Sequence, residues 1–204
     1  ASIAAIRQAE SAYKRDGSLT GTTTGLTDLD KILAGLQPSD LLVLAGRPSM
    51  GKTQLAVAIA RNAAQKHHAT DGKEGAVVGF FSLEMSGEQL ASRIHADVTS
   101  IESDRMRKGE IGIDEFEYLE RTAQDQLYDL PLYIDATSEL TLSAIRTRAR
   151  RLKRQRNLGL IIVDYLQLIS APKGRRAESR VQEVSEMTRG LKILAKELNV
   201  PVVV

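Results

Sequence analysis

The sequence predicts an α/β fold in which a mostly parallel central sheet carries helices on both faces. Short apolar runs typical of buried strands alternate along the chain with longer segments whose apolar residues recur at helical spacing. Such alternation is typical of strand–helix–strand units, whose strands lie parallel. One apolar run leads into Gly46–Thr53, which matches the P-loop pattern G-x-x-x-x-G-K-[ST] in full. A P-loop needs a strand before it and a helix after it, so both observations indicate the same fold.

The composition indicates one globular α/β domain and excludes several classes of protein. The chain has 204 residues, of which 42% are hydrophobic and 26% charged. It contains no cysteine, which excludes disulfides and thiolate metal sites and fits a reducing compartment. No apolar run approaches the roughly 20 residues that cross a bilayer, and the first residues lack the apolar core of a signal peptide. We expect a soluble cytoplasmic protein without a membrane partner.

The first 25 residues are expected to lie outside the core. Residues 17–25 are rich in glycine, serine and threonine and predict a flexible linker, which leaves residues 26–204 for the core. Residues 1–16 predict a short linker helix that either packs on something outside this domain or is a frayed terminus that packs locally. Its apolar side chains near one face are Ile3, Ala4, Ile6, Ala9 and Tyr13.

The P-loop lies between predicted elements. A helix is expected to begin with a cap at Thr27 or Asp28, to carry Leu29, Ile32 and Leu33, and to end at Gly35. Residues 40–45 predict a buried strand that enters the loop, and residues 54–60 predict the helix that leaves it.

Strands and helices continue to alternate after this helix. Apolar runs predict strands within residues 75–83, 131–134, 158–168 and 200–204. Because the chain stops inside the last of these, we expect it to be a fragment of a larger protein, truncated at its C-terminus.

Four helices are predicted among these strands. Ser86 with Gln89 predicts a capping box, and Asp114 with Glu117 marks a second helix start. The third carries an apolar stripe from Leu142 to Leu152, and the last carries one from Val184 to Leu198.

The P-loop pattern predicts a triphosphate site. A polyphosphate needs converging main-chain N–H donors, which a helix N-terminus supplies. Lys52 is expected to act on the β- and γ-phosphates, and the Thr53 hydroxyl to complete a Mg²⁺ shell. The nucleotide-binding residues expected from the motif are Gly46, Ser49, Met50, Gly51, Lys52, Thr53 and Gln54. We therefore predict that the chain binds a nucleoside triphosphate with Mg²⁺.

Two carboxylates follow predicted strands at the edge where ligands bind in open α/β sheets. Asp164 ends an apolar strand and is favoured as a Mg²⁺ ligand over an ordinary turn residue. Glu84 follows the Phe80–Leu83 run, where it could accept a proton from the water that attacks the γ-phosphate. From chemistry alone, Glu84 is equally well explained as a solvated carboxylate beside a helix N-terminus.

Two basic clusters are candidate nucleic-acid sites or solvated faces. One lies between Arg146 and Arg156 on a predicted amphipathic helix, and we favour a solvated face or a contact with a neighbouring subunit for it. The other is a candidate DNA-binding set that could also be a solvated loop. Its members are Lys173, Arg175, Arg176 and Arg180.

Four segments together resemble the C-terminal motor domain of bacterial replicative DNA helicases of the DnaB type. They are residues 24–30, the P-loop, residues 81–86 (Phe-Ser-Leu-Glu-Met-Ser) and residues 162–167 (Ile-Val-Asp-Tyr-Leu-Gln). The resemblance implies a RecA-like P-loop NTPase fold and a homo-hexamer that couples ATP hydrolysis to translocation on single-stranded DNA and duplex unwinding. It implies that Glu84 and Lys52 are catalytic and that Thr53 and Asp164 hold the metal.

The resemblance implies further roles and partners. Arg93 resembles an arginine that lies against the nucleotide base, although an ordinary surface arginine is an equal alternative. Residues 171–180 occupy the place of a DNA-facing loop, and residues 1–16 that of a linker helix which docks on the adjacent subunit. A primase and a helicase loader are implied partners. A sensor glutamine, a second DNA loop and an arginine finger are expected to lie after Val204 in the larger protein.

Two other functions remain open from the sequence. The nearest is another RecA-like ATPase, of the recombinase or clock-protein type, which shares the P-loop and a glutamate after the next strand. The other is a nucleotide-gated loader or adaptor scaffold without turnover. For the fragment itself we expect ATP binding with weak hydrolysis, because an arginine finger contributes about 10³-fold or more in rate in related reactions.

Overall fold

The architecture is that of a parallel sheet between two layers of helices. The structure is a computed structural model that describes residues 19–47, 49–166, 169 and 180–204. In these ranges, five strands form one parallel sheet in the order β1-β5-β4-β2-β3. The strands are β1 (Leu41–Leu42), β2 (Val78–Ser82), β3 (Leu132–Asp135), β4 (Leu160–Asp164) and β5 (Val202–Val203).

Seven helices lie among the described residues. They are α1 (Thr27–Leu33), α2 (Lys52–Ala69), α3 (Gly87–Thr99), α4 (Ser103–Lys108), α5 (Ile113–Gln126), α6 (Leu142–Arg156) and α7 (Arg180–Leu198). Six of them correspond to predicted helices. Helix α4 was not predicted, because it is short, strongly charged and buries no side chain. None of the helices in the described ranges is long and apolar enough to cross a membrane.

Each face of the sheet buries its own apolar core, which confirms the predicted arrangement. Alternate residues of β4 point to opposite faces, so Ile162 packs with α2 and α3 while Ile161 packs with α6 and α7. Strand β2 does the same with Phe80 and Phe81. Both strands are buried along their whole length, which explains their near-continuous apolar sequences.

The helix starts differ in detail from the sequence prediction. The Ser86–Gln89 capping box is present. Helix α1 has Leu26 at its N-cap, so the predicted cap at Thr27 or Asp28 is wrong by one or two residues. Helix α5 begins after Gly112, whose N–H donates to the Glu115 carboxylate at 3.0 Å, and the predicted start at Asp114 is likewise late. A side-chain cap is only one of several ways to begin a helix.

The described part of the segment interpreted as a flexible linker is held against the core. Thr22 pairs with Leu36 in an isolated antiparallel bridge. The buried Asp30 carboxylate accepts hydrogen bonds from the Thr24 N–H and hydroxyl, both at 2.8 Å. The Asn62 side chain of α2 donates to the Thr24 carbonyl at 3.1 Å. These contacts hold residues 20–24 in place. The predicted helix at residues 1–16 lies outside the described residues.

Candidate nucleotide-binding site

The P-loop turns directly into the N-terminus of α2. Gly51, the N-cap residue, has φ of +81°, a left-handed conformation that favours glycine. Within the described part of the chain, no side chain caps this helix end. The helix dipole and the first main-chain N–H groups therefore remain for a ligand, as an anion site requires.

A cavity of about 170 Å³ opens beside this helix end at the carboxyl edge of the sheet. The residue after β1, the start of α2 and the end of β4 all contribute to it. Its charged lining side chains are those of Lys52 and Asp164, and Gly46 forms part of the same wall. Parallel strands bring these residues together, since β4 and β1 both end at this edge.

The two charges in the cavity do not neutralise each other. Asp164 is 7% exposed, and its Oδ2 is buried with no hydrogen-bond partner in the described structure. None of the ion pairs in the described ranges joins it to Lys52. The Lys52 ammonium instead lies 5.9 Å from the centroid of the Tyr165 ring. A buried carboxylate oxygen without a partner costs free energy unless a ligand satisfies it.

The donor set fits Mg²⁺ bound together with a nucleotide. Asp164 offers an unpartnered carboxylate oxygen, and Thr53 offers a hydroxyl in the first turn of α2. The described residues contain no cluster of three or more His, Cys, Asp or Glu side chains that could hold a metal by themselves. Mg²⁺ commonly uses one or two carboxylates together with substrate phosphates, and this arrangement provides that minimum.

Glu84 lies in the turn between β2 and α3 and is exposed. Two contacts fix this turn beside the cavity. The Leu83 N–H donates to the Asp164 carbonyl at 2.8 Å, and the Ser82 hydroxyl donates to the Met85 carbonyl at 2.8 Å. Glu84 therefore directly follows Leu83, whose main chain is hydrogen-bonded to that of Asp164, the candidate metal ligand.

The structure describes the other predicted site residues unequally. Ser49, Met50 and Gln54 lie on the loop and the first turn of α2, as the motif requires. Arg93 lines a groove between α3 and α4 with Met85, Glu88 and Asp104, among others, and none of the described P-loop residues lines that groove. Lys173, Arg175 and Arg176 lie outside the described residues, and Arg180 begins α7.

Tyr165 is a site residue that sequence reasoning did not single out. It lines the cavity, and its ring faces the Lys52 ammonium. The available signal was its position directly after Asp164, at the carboxyl end of a buried strand.

Three of the six arginines of α6 are paired with acids from other elements. Arg146 and Arg150 both bond Glu197 of α7. The bond from Arg150 is the main cause that holds the pKa of Glu197 below its ordinary value; partial desolvation opposes it, and Arg146 adds to it. Arg148 bonds Asp135 of β3. Burial raises the pKa of Asp135, but the hydrogen bonds from Arg148 and Thr137 lower it by more.

Comparison with known proteins matches almost the whole chain to one family. The family model "DnaB-like helicase C terminal domain" matches residues 21–204. The replicative DNA helicase DnaB of Rickettsia conorii (strain ATCC VR-613 / Malish 7) is 47% identical over 99% of this chain and 40% of its own length. The chain thus spans about two fifths of the curated relatives that it matches.

Solved structures of similar fold agree with this match. One, titled "The Structure Of A DnaB-Like Replicative Helicase And Its Interactions With Primase", superposes with a TM-score of 0.84 at 27% identity, covering 100% of this chain and 47% of that one. Another, described as an ATPase domain, gives a TM-score of 0.86 at 27% identity, covering 99% of this chain and 69% of that one.

Proposed function

This chain belongs to the DnaB-like helicase C-terminal domain family, and on that premise we propose that it is the ATP-hydrolysing motor domain of a replicative DNA helicase. Its RecA-like core couples hydrolysis to translocation on single-stranded DNA and to parting of the duplex. The observation that carries the proposal is the meeting of an uncapped helix N-terminus, Lys52 and an unpartnered Asp164 oxygen at one cavity.

ATP binds with its phosphates at the N-terminus of α2. Main-chain N–H groups of the P-loop and of the first turn of α2, among them that of Ser49, cradle the phosphate oxygens. Lys52, which has no carboxylate partner in the described structure, supplies its charge to the β- and γ-phosphates. Arg93 lies on the next helix and contacts the base. A P-loop contacts the phosphates and not the base, so selectivity for one base over another would depend on the Arg93 contact.

Asp164 and Thr53 hold Mg²⁺ beside the phosphates. When bound, the ion offsets the negative charge that develops on the β- and γ-phosphate oxygens during transfer. The cost of keeping Asp164 buried and unpartnered in the free protein is recovered when the ion satisfies it.

Glu84 accepts the proton of the attacking water. Proton transfer to a positioned carboxylate typically contributes about 10²–10⁴-fold in rate. The Leu83–Asp164 hydrogen bond supports this role, because it ties the turn that carries Glu84 to the strand that carries the metal ligand.

The wider assembly follows from family membership as part of the same proposal. The protein forms a homo-hexamer in the cytoplasm, with residues 1–16 as a linker helix that docks on the adjacent subunit. Lys173, Arg175, Arg176 and Arg180 contact the phosphates of single-stranded DNA. A primase and a loader bind the assembled ring.

The test is the ATPase rate of the full-length protein with and without single-stranded oligodeoxythymidine, together with its mass in solution. We expect a hexamer whose turnover rises with DNA and falls in Lys52→Ala. A full-length protein that binds ATP but shows no turnover would identify a scaffold, and DNA-bound filaments would identify a recombinase. The 204-residue chain alone is expected to bind ATP and hydrolyse it slowly; turnover equal to that of the ring would overturn this expectation.

A further inference from the structure

We propose that the groove between the edge strand β3 and helix α6 binds an extended acidic peptide segment of a partner protein, which adds to the sheet as a further strand. The groove is separate from the nucleotide cavity and has a volume of about 780 Å³. None of the residues assigned to the ATP site lines it.

The first support is an unpaired strand edge. In the described part of the chain, β3 is the last strand of the sheet and pairs only with β2. The Val78 N–H donates to the Pro131 carbonyl at 2.8 Å, so by strand alternation the main-chain groups of Leu132 and Ile134 point away from β2. The Leu132 N–H donates to the Leu130 carbonyl at 2.7 Å, which leaves the Leu132 carbonyl and both main-chain groups of Ile134 for another strand. Such outward N–H and C=O groups are a template for another strand.

The second support is the charge along one side of this edge. Tyr133 and Asp135 pair with Gly79 and Phe81, so their side chains lie on the face that α6 covers. Arg148, Arg151 and Arg156 of α6 line the groove with them. From Arg148 to Arg156 the helix advances about 12 Å, and β3 spans about 13 Å, so these arginines accompany the edge along its whole length.

The third support is the excess of positive charge in the groove. Asp135 is the only carboxylate among the described residues that line it, and Arg148 already pairs with Asp135. Arg151 bonds the neutral Gln155 side chain at 3.3 Å, and the Arg156 guanidinium lies 6.0 Å from the centroid of the Tyr133 ring. Two exposed arginines are therefore available to carboxylates of a ligand, which would form charge-assisted hydrogen bonds with them.

The same observations favour a peptide over a nucleic acid. A nucleic acid has no alternating N–H and C=O groups with which to pair the open edge. Two aromatic residues line the groove, Phe81 and Tyr133. Phe81 is buried, and Tyr133 is partly buried and faces Arg156, so they offer little surface for base stacking. A peptide strand with acidic side chains on its α6 side can pair with the open main-chain groups of β3 and also bind the arginines.

The experiment measures binding of a short fluorescein-labelled peptide of alternating glutamate and valine to the full-length protein by fluorescence anisotropy. Arg151→Glu and Arg154→Glu form a matched pair, because both are exposed positions of α6 with the same charge change and only Arg151 lines the groove. We expect Arg151→Glu to weaken binding about five-fold or more and Arg154→Glu to leave it within about two-fold.

A second variant tests strand addition itself. Ile134→Pro removes an outward N–H from the edge strand, where proline is tolerated. We expect it to abolish peptide binding while ATPase turnover and the melting transition persist. A lysine–valine peptide and oligodeoxythymidine serve as control probes.

Three outcomes would overturn the proposal. They are the absence of acidic-peptide binding, equal loss in Arg151→Glu and Arg154→Glu, and unchanged binding in Ile134→Pro with its fold intact. Oligodeoxythymidine binding that Arg151→Glu removes, without peptide binding, would instead assign the groove to nucleic acid. Because ATP turnover is measured separately, failure here is distinguishable from failure of the motor function.

Discussion

Three arginines of α6 pair with carboxylates from neighbouring elements, whereas in the P-loop cavity a lysine and an aspartate line the same space without forming an ion pair in the described structure. Glu197 forms salt bridges with two arginines, and Asp135 forms one with a third. Lys52 faces an aromatic ring, and Asp164 keeps an oxygen without a partner. The first arrangement satisfies charge within the folded chain. In the second arrangement neither charge has a partner of opposite sign in the described structure, so both can bind a ligand.

The largest expected effect is on turnover in Lys52→Ala. We expect ATP hydrolysis by the full-length protein to fall by about 10³-fold or more, since the charge on the β- and γ-phosphates is lost. The melting temperature should change little, because Lys52 makes no ion pair in the described structure. A large fall in melting temperature would mean that Lys52 stabilises the fold, as the paired arginines of α6 do, and would contradict the difference between the two regions.

Glu84→Gln is expected to have the next largest effect. Turnover should fall by about 10²-fold or more while ATP affinity stays within a few-fold, because a glutamine cannot accept the proton. Equilibrium binding of a fluorescent ATP analogue and steady-state turnover separate the two quantities. Unchanged turnover would remove Glu84 from the role of base.

Asp164→Asn separates stability from function. The substitution replaces a buried, unpartnered carboxylate with a neutral group, so we expect a free protein that is at least as stable. The Mg²⁺ concentration needed for half-maximal ATP binding should rise by about ten-fold or more. Thermal melting without nucleotide, followed by a Mg²⁺ titration, measures both; a less stable protein with unchanged Mg²⁺ dependence would assign Asp164 to the fold.

Tyr165 provides a finer test of how Lys52 is held apart from Asp164. In Tyr165→Leu the ammonium loses its aromatic contact, and we expect ATP affinity to fall about three- to ten-fold with little change in kcat. Tyr165→Phe keeps the ring face and should bind ATP like the parent protein. If Leu and Phe behave alike, the ring does not position Lys52.

The smallest expected effect concerns Glu197. Glu197→Gln should lower the melting temperature by about 3 °C or less and leave ATP turnover unchanged, because exposed pairs contribute little. The pKa of Glu197 is lower in the folded protein, mainly through Arg150. Its stabilisation is therefore present above its unfolded pKa and is lost as pH falls through the folded pKa. Melting curves at falling pH should converge for parent and variant; a constant difference would contradict the pairing.

The sequence predicts those features that are encoded within a few neighbouring residues. The P-loop, the strand that ends in Asp164 and the Ser86–Gln89 box each depend on local patterns, and the structure has all three in place. The pairing of Arg146 with Glu197 joins residues 51 positions apart, so no local pattern could show it. Helix α4 lacks a buried stripe and a side-chain cap, so it left no periodic signal. The role of Tyr165 depends on the path of the P-loop, which no single segment specifies.

The hydrogen bond between Thr24 and Asn62 couples the entry to the core with α2, two segments that are distant in the sequence. Asn62 lies on α2, the helix that begins at Lys52, and it donates to the main chain where the polypeptide enters the core. The two segments are tightly packed here, since a Cβ on Gly25 would lie 2.3 Å from the Asn62 side chain. A displacement of the chain at Thr24 would therefore be passed directly to α2, whose first residue, Lys52, lines the candidate nucleotide cavity.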